Sequence, residues 1–309
     1  MFVRVRSLFL AVSLLLPACH SGVDGGPLFP AVRGVRESAP RTGREVLGAF
    51  LKAYPDRFQE VRFQDGDWTI SSGELRFYWA NGKMLPENAL GEAEKYSPHP
   101  FYTYAAGLPA VPEYTEEEKA QIRIRVDSRE KTRLKRHPGI YNVIWRLSDR
   151  TSAERRIVTV RFLGLKVRVH QDIVPALAAI DTEINRRKAD DPELERFVRG
   201  IQTISGQHWR TIANTASLSF HSYGVALDVI WPNPERKETY WLWAKRSAPD
   251  WFTLPLSRRL LPPASFIETF EKYGFVWGGK WFYFDTIHFE YRPEILLVSG
   301  LPVTRVATP

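Results

Sequence analysis

Two stretches constrain this chain more than any others: residues 219–228, SFHSYGVALD, and residues 274–290, GFVWGGKWFYFDTIHFE. Each brings a histidine and carboxylates together at short range, beside glycines that permit tight turns. In the first, Val225, Leu227 and Val229 alternate with Ala226, Asp228 and Ile230, which places Asp228 on a strand in an apolar setting. A carboxylate buried there without a partner is costly, because nothing replaces its hydration. A metal ion offsets that cost, and so does a salt bridge to an arginine; Asp228 alone does not choose between them. In the second stretch His288 and Glu290 flank Phe289 and share one strand face, while Asp285 stands in the turn before them. A lone histidine in an apolar strand is more often a core residue than a ligand. Two histidines and two acids in glycine-punctuated aromatic surroundings are harder to explain that way.

A catalytic zinc site needs three protein ligands and a fourth position open to water. His221, Asp228 and His288 supply three ligands for one Zn2+ ion. Asp285 stands where a general base would take a proton from that water.

The spacing Ser219-x-His221-x-x-Gly224-x-Ala226-x-Asp228, followed by Gly-Phe-x-Trp-Gly-Gly-x-Trp over 274–281 and by Asp285-x-x-His288-Phe289-Glu290, resembles the zinc D-alanyl-D-alanine carboxypeptidases and L-alanyl-D-glutamate endopeptidases. The resemblance covers about 156–291, with every ligand position present. It implies the hedgehog/DD-peptidase fold, a compact α+β domain with an antiparallel sheet. It also implies zinc held by His221, Asp228 and His288, with Asp285 as the base. By the same resemblance Arg210, in WRTIA over 209–213, binds the scissile carbonyl oxygen, and Ser219 flanks the substrate near its C-terminal end. The activity implied is hydrolysis of peptidoglycan stem peptides, taken first as a D-alanyl-D-alanine carboxypeptidase. An L-alanyl-D-glutamate-type endopeptidase and a catalytically inert zinc-containing cell-wall module are the alternatives. The presence of both Asp285 and Arg210 favours turnover.

The N-terminus agrees with a substrate outside the cell membrane. Residues 1–18 combine Arg4 and Arg6 with a short apolar run, LFLAVSLLL, too short to span a bilayer, as in a secretory signal. Cys19 follows a small residue, as in a bacterial lipobox, so lipidation at Cys19 and a membrane anchor are expected; an ordinary leader with an incidental cysteine is the alternative. Cys19 is the only cysteine, which excludes an intramolecular disulfide and leaves stability to the core. The chain has material for one, being 44% hydrophobic and 13% aromatic. Residues 19–43 read as a Gly-, Pro- and Arg-containing tether that would hold the folded part off the membrane, in the periplasm or cell wall. The formal charge of +8 suits an anionic partner such as a stem peptide. Nucleic acid is not expected as a partner, since basic residues cluster strongly only at 129–136.

Between tether and site the pattern predicts an aromatic-rich α+β module over 44–130 and a peptidase domain over 131–300. A helix fits 44–53, then strands at 61–63, 67–70 and 75–79 separated by Gly turns. Trp68, Tyr78 and Trp79 read as core rather than as a ligand groove. Residues 91–112 read as loop, and 116–130 as a charged helix capped by Thr115, with the basic run after it on an exposed helix face. Residues 140–147 and 156–170 alternate like strands. Helices open at Asp172 and Asp191, the second burying Leu194, Phe197, Val198 and Ile201, and another fits 263–273. Strands are predicted at 275–277, 281–284 and around His288.

Overall fold

Thr42 caps the first helix, α1 (Gly43–Ala53): its hydroxyl accepts from the Glu45 N–H while the Glu45 carboxylate accepts from the Thr42 N–H. In the computed structural model the described residues are 41–306, apart from the side chains of 129 and 130. The expectations of a leader, of Cys19 lipidation and of most of the tether lie outside them. From α1, Val46, Leu47 and Phe50 enter the core. An antiparallel meander follows, β1 (Glu60–Gln64), β2 (Asp67–Ser72), β3 (Leu75–Tyr78) and the short β4 (Leu85–Pro86). Tyr78 is buried and Trp68 and Trp79 pack against the core, so these aromatics serve packing.

Helix α2 (Glu116–Thr132) carries the predicted cap, a full Thr115–Glu118 box. The basic run beyond it is not one helix face. Arg133 takes a left-handed conformation that ends α2, and Leu134 and Arg136 turn inward to line a cleft. Residues 140–147 are a second correction: they form helix α3 (Gly139–Trp145), not a strand. Its β-branched and aromatic residues favour a strand locally, but Ile140, Tyr141, Ile144 and Trp145 are all buried, a helical spacing that tertiary packing selects.

After α4 (Arg150–Glu154), the strands predicted over 156–170 form as β5 (Ile157–Phe162) and β6 (Leu165–His170), which pair as a hairpin. Helix α5 (Val174–Arg187) buries Leu177, Ile180 and Ile184. Helix α6 (Pro192–Gly200), capped by Asp191, fully buries only Leu194; Phe197, Val198 and Ile201 pack at the core's margin.

The strands β7 (Thr203–Ser205) and β8 (Ala226–Ile230) open the second sheet, and helices α7 (Trp241–Ser247) and α8 (Ala264–Lys272) follow. The strands β9 (Phe275–Trp277) and β10 (His288–Tyr291) complete the sheet, with α9 (Pro293–Val298) after them. The spatial order is β7-β8-β10-β9, antiparallel throughout. Residues 281–284 do not form the predicted strand. With β10 already paired on both sides, they find no ladder there, and Phe282 and Phe284 instead join Trp241, Trp251 and Phe252 in an aromatic cluster.

The fold is therefore α+β, mixed helix and antiparallel sheet. One apolar cluster joins Val46 and Phe50 of α1 to Trp145 of α3 and Phe289 of β10, so the residues before and after 131 share a core. No helix among the described residues is long and apolar enough to cross a membrane.

Gly224 leads from a 3-10 turn into β8 with φ at +72°, and a Cβ there would lie 2.4 Å from Ile157 Cδ1 and 2.9 Å from His170 N. Positive φ and overpacking each cost L side chains about 1–3 kcal/mol. Gly224→Ala is expected to lower unfolding stability by about 2–4 kcal/mol in a denaturant titration. An unchanged midpoint would show that the turn relaxes freely.

Candidate metal centre

The antiparallel pairing of β8 with β10 sets His288 directly opposite Asp228. Such cross-strand partners project to the same sheet face. His221 reaches them from the 3-10 turn Phe220–Tyr223, whose start is capped by Ser219: the Ser219 hydroxyl accepts the His221 N–H at 3.3 Å. Asp228 Oδ1 then lies 2.9 Å from His288 Nδ1 and 3.2 Å from His221 Nε2, with the two nitrogens 3.3 Å apart.

The outward nitrogens decide what the inward ones can do. His221 Nδ1–H donates to the Gly206 carbonyl at 2.6 Å, and His288 Nε2–H donates to Glu290 Oε2 at 3.2 Å. A neutral imidazole has one N–H, so each ring turns a lone pair toward the other and toward the Asp228 carboxylate. Three acceptors in contact require a cation or a shared proton between them. Gly206 makes the outer bond possible, since a Cβ there would sit 2.1 Å from the Arg168 carbonyl. Two imidazole nitrogens and one carboxylate oxygen, all within 4.8 Å of one another, form a donor set that fits zinc. Among the described residues Asp228 has no arginine partner; its bonds run to the two histidines.

A proton is the ion's competitor. Burial disfavours a charged His288, yet hydrogen bonds to Asp228 and Glu290 raise its pKa to about 10. Burial also works against an ionised Asp228, but the bonds from His221 and His288 hold its carboxyl well below the usual carboxylate range. A metal ion at this site would therefore bind more tightly as pH rises and His288 gives up its proton.

Asp285 lies in the turn leading into β10, and its Oδ1 is buried without a hydrogen-bond partner among the described residues. Burial pushes its carboxyl up to about 7; His288 opposes the rise, Asp228 adds to it, and Arg210 opposes it. A carboxyl held near neutrality with an unengaged oxygen is suited to taking and returning a proton. The backbone of Arg210 is fixed by Ser222, whose hydroxyl accepts from its N–H at 2.9 Å and donates to its carbonyl at 2.7 Å. The guanidinium is left on the exposed side, where it lines two adjoining hollows. The larger, about 550 Å³, is also bordered by Ser219, Trp281, Asp285 and His288. The smaller, about 380 Å³, is bordered by His221, Asp228 and the basic residues Lys166 and Arg168.

All six predicted positions thus converge, although Ser219 acts visibly as a brace for His221 as well as a cleft residue. Two features escaped the sequence reading. Tyr102, Arg136 and Tyr141 wall the larger hollow from segments read as loop, exposed helix and strand. Glu290 and Arg292 form a buried ion pair behind His288, for which the only sequence signal was charge at alternate positions in an apolar run.

Residues 213–291 match the model of a family described as D-alanyl-D-alanine carboxypeptidase, and residues 46–101 match that of a domain of unknown function. The first match contains His221, Asp228, Asp285 and His288 and begins after Arg210. It supports a zinc DD-peptidase-like family for this part of the chain. No curated protein and no solved structure matches the chain.

In zinc-free protein, Asp285 has a stability signature. Its folded pKa, about 7, lies above the unfolded value, so its contribution is full below the unfolded pKa and is lost as pH rises toward 7. Asp285→Asn is expected to flatten that fall, measured by denaturant unfolding between about pH 4 and pH 7. A profile identical to the parent's would mean that the carboxyl titrates normally.

Proposed function

We propose that this chain is a zinc-dependent peptidase that hydrolyses peptidoglycan stem peptides, on a domain of the hedgehog/DD-peptidase type. The observation that carries the reading is the convergence of His221, Asp228 and His288 beside the unpartnered Oδ1 of Asp285. His221, Asp228 and His288 would hold the ion. Zinc, when bound, supplies a water of lowered pKa and polarises an amide carbonyl. Asp285 takes a proton from the attacking water and returns it to the leaving amine, so a single carboxyl serves both halves of the reaction. Arg210 donates to the carbonyl oxygen as negative charge develops there, an interaction typically worth about 3 kcal/mol when well aimed. Ser219 lines the cleft beside it.

Removal of a terminal D-alanine is the first reading of the cut. The hollows meeting at Arg210 favour a second, an endopeptidase cut, because a peptide there has room on both sides of the scissile bond. The site of action is outside the cytoplasmic membrane, with the chain anchored through a lipid on Cys19.

Zinc-loaded protein incubated with muropeptides and followed by mass spectrometry tests the reading. Loss of one D-alanine from pentapeptides identifies a carboxypeptidase, and a cut after L-alanine an endopeptidase. Asp285→Ala is expected to keep its zinc while turnover falls by about 10²–10⁴-fold; His221→Ala should lose both. Arg210→Ala should keep zinc and lower kcat by about 10²–10³-fold. Zinc-loaded protein with no product would leave an inert cell-wall module as the better account.

A further inference from the structure

Behind His288 lies a line of buried charges, two of which, Glu290 and Arg292, also border the larger hollow, and the inference drawn from it rests on the metal reading above. Glu290, Arg292 and Glu294 alternate from β10 into α9, and their exposures are only 7%, 2% and 1%. Arg292 Nη1 donates to Glu290 Oε1 at 3.0 Å, Nε donates to Glu294 Oε1, and Nη2 donates to the Tyr141 hydroxyl at 2.7 Å. The guanidinium also stacks over the rings of Phe220, at 4.5 Å, and Tyr141, at 5.1 Å. From the end of α1, the Tyr54 hydroxyl donates to Glu294 Oε2 at 2.7 Å. An unbroken series of bonds therefore runs from His288 Nε2 through Glu290, Arg292 and Glu294 to Tyr54.

Stability alone does not account for this arrangement. Well-packed apolar residues of similar volume commonly replace a buried ion cluster with no loss of stability. What apolar residues cannot do is hold a ligating imidazole in one tautomer, and outer carboxylates on such rings serve that purpose. With Asp228, the cluster sets three carboxylates against one guanidinium, an excess of negative charge that suits a divalent cation on the far side of His288.

We infer that Tyr54 is a positioning residue for the metal centre. It fixes Glu294, which holds Arg292, which holds Glu290, which sets the orientation and N–H of His288. This gives the segment matching a domain of unknown function a part in the site, through a hydroxyl that touches neither metal nor substrate.

The test uses the full chain and the metals alone. Zinc affinity is measured by competition with a chromogenic chelator, and the visible absorption bands of the Co2+ form report ligand geometry. Removing an outer-shell partner typically weakens metal binding about 10–100-fold. Glu290→Gln is expected within that range and Tyr54→Phe, further out, at about 3–10-fold, with shifted cobalt bands. Tyr78→Phe is the control: it also removes one hydroxyl bond, to Asp65, but has no link to His288. It should leave affinity and bands unchanged even if zinc-free stability falls as much. If Tyr54→Phe folds poorly, Glu294→Gln interrupts the same series and should give the same metal readouts. Wild-type affinity and unshifted bands in the folded Tyr54 or Glu294 variant would overturn this inference alone. A parent chain that binds neither zinc nor cobalt would overturn the metal reading and this inference with it.

Discussion

The register between β8 and β10 is the constraint on which the site depends. Asp228 faces His288 because Leu227 pairs with Phe289 and Ala226 with Glu290. Slipping that ladder by one residue would send Asp228 and His288 to opposite faces and turn either Leu227 or Phe289, both fully buried here, away from the core. The hydrophobic core thus enforces the geometry of the polar site. Neither strand chooses its register for the sake of the histidine; the apolar residues between the ligands choose it.

Around that pair the fold resolves a recurring electrostatic problem. His221, His288, Glu290, Arg292 and Glu294 are all buried, and each charged or polar group is engaged by another. Asp285 keeps one carboxylate oxygen without a hydrogen-bond partner among the described residues, as does the hydroxyl of Thr286 next to it. Unsatisfied buried oxygens are uncommon, because desolvation is not repaid by a bond. Here the same desolvation that destabilises the carboxylate moves its pKa to about 7, which is what a proton shuttle needs. A local loss of stability and a chemical capability have one physical cause.

The N-terminal region contributes in two ways that its own pattern does not announce. Its helix completes the apolar core, with Phe50 in the same cluster as Phe289. Tyr54, at the end of that helix, reaches the polar cluster behind the candidate metal ligands. The residues between it and α3 bring Tyr102 and Arg136 to the cleft wall. The shape of the cleft is therefore set partly by a segment remote in sequence from the candidate ligands.

The short-range features were legible in the amino-acid order. The helix over 44–53, the helix starts at Thr115 and Asp191, the strands over 156–170, and the candidate ligands with Asp285 depend on spacing of a few residues, and spacing is what a sequence displays. Three things were decided only by tertiary structure. Residues 139–145 became helical because four large apolar side chains found a core on one helical face. Residues 281–284 gave up a strand because β10 had no free edge for them. The Tyr54–Glu294 bond joins residues 240 positions apart, and no local pattern encodes which distant hydroxyl meets a buried carboxylate. Local chemistry names the groups that can act; only packing over the whole chain brings them within bonding distance and takes away the water that would otherwise mute them.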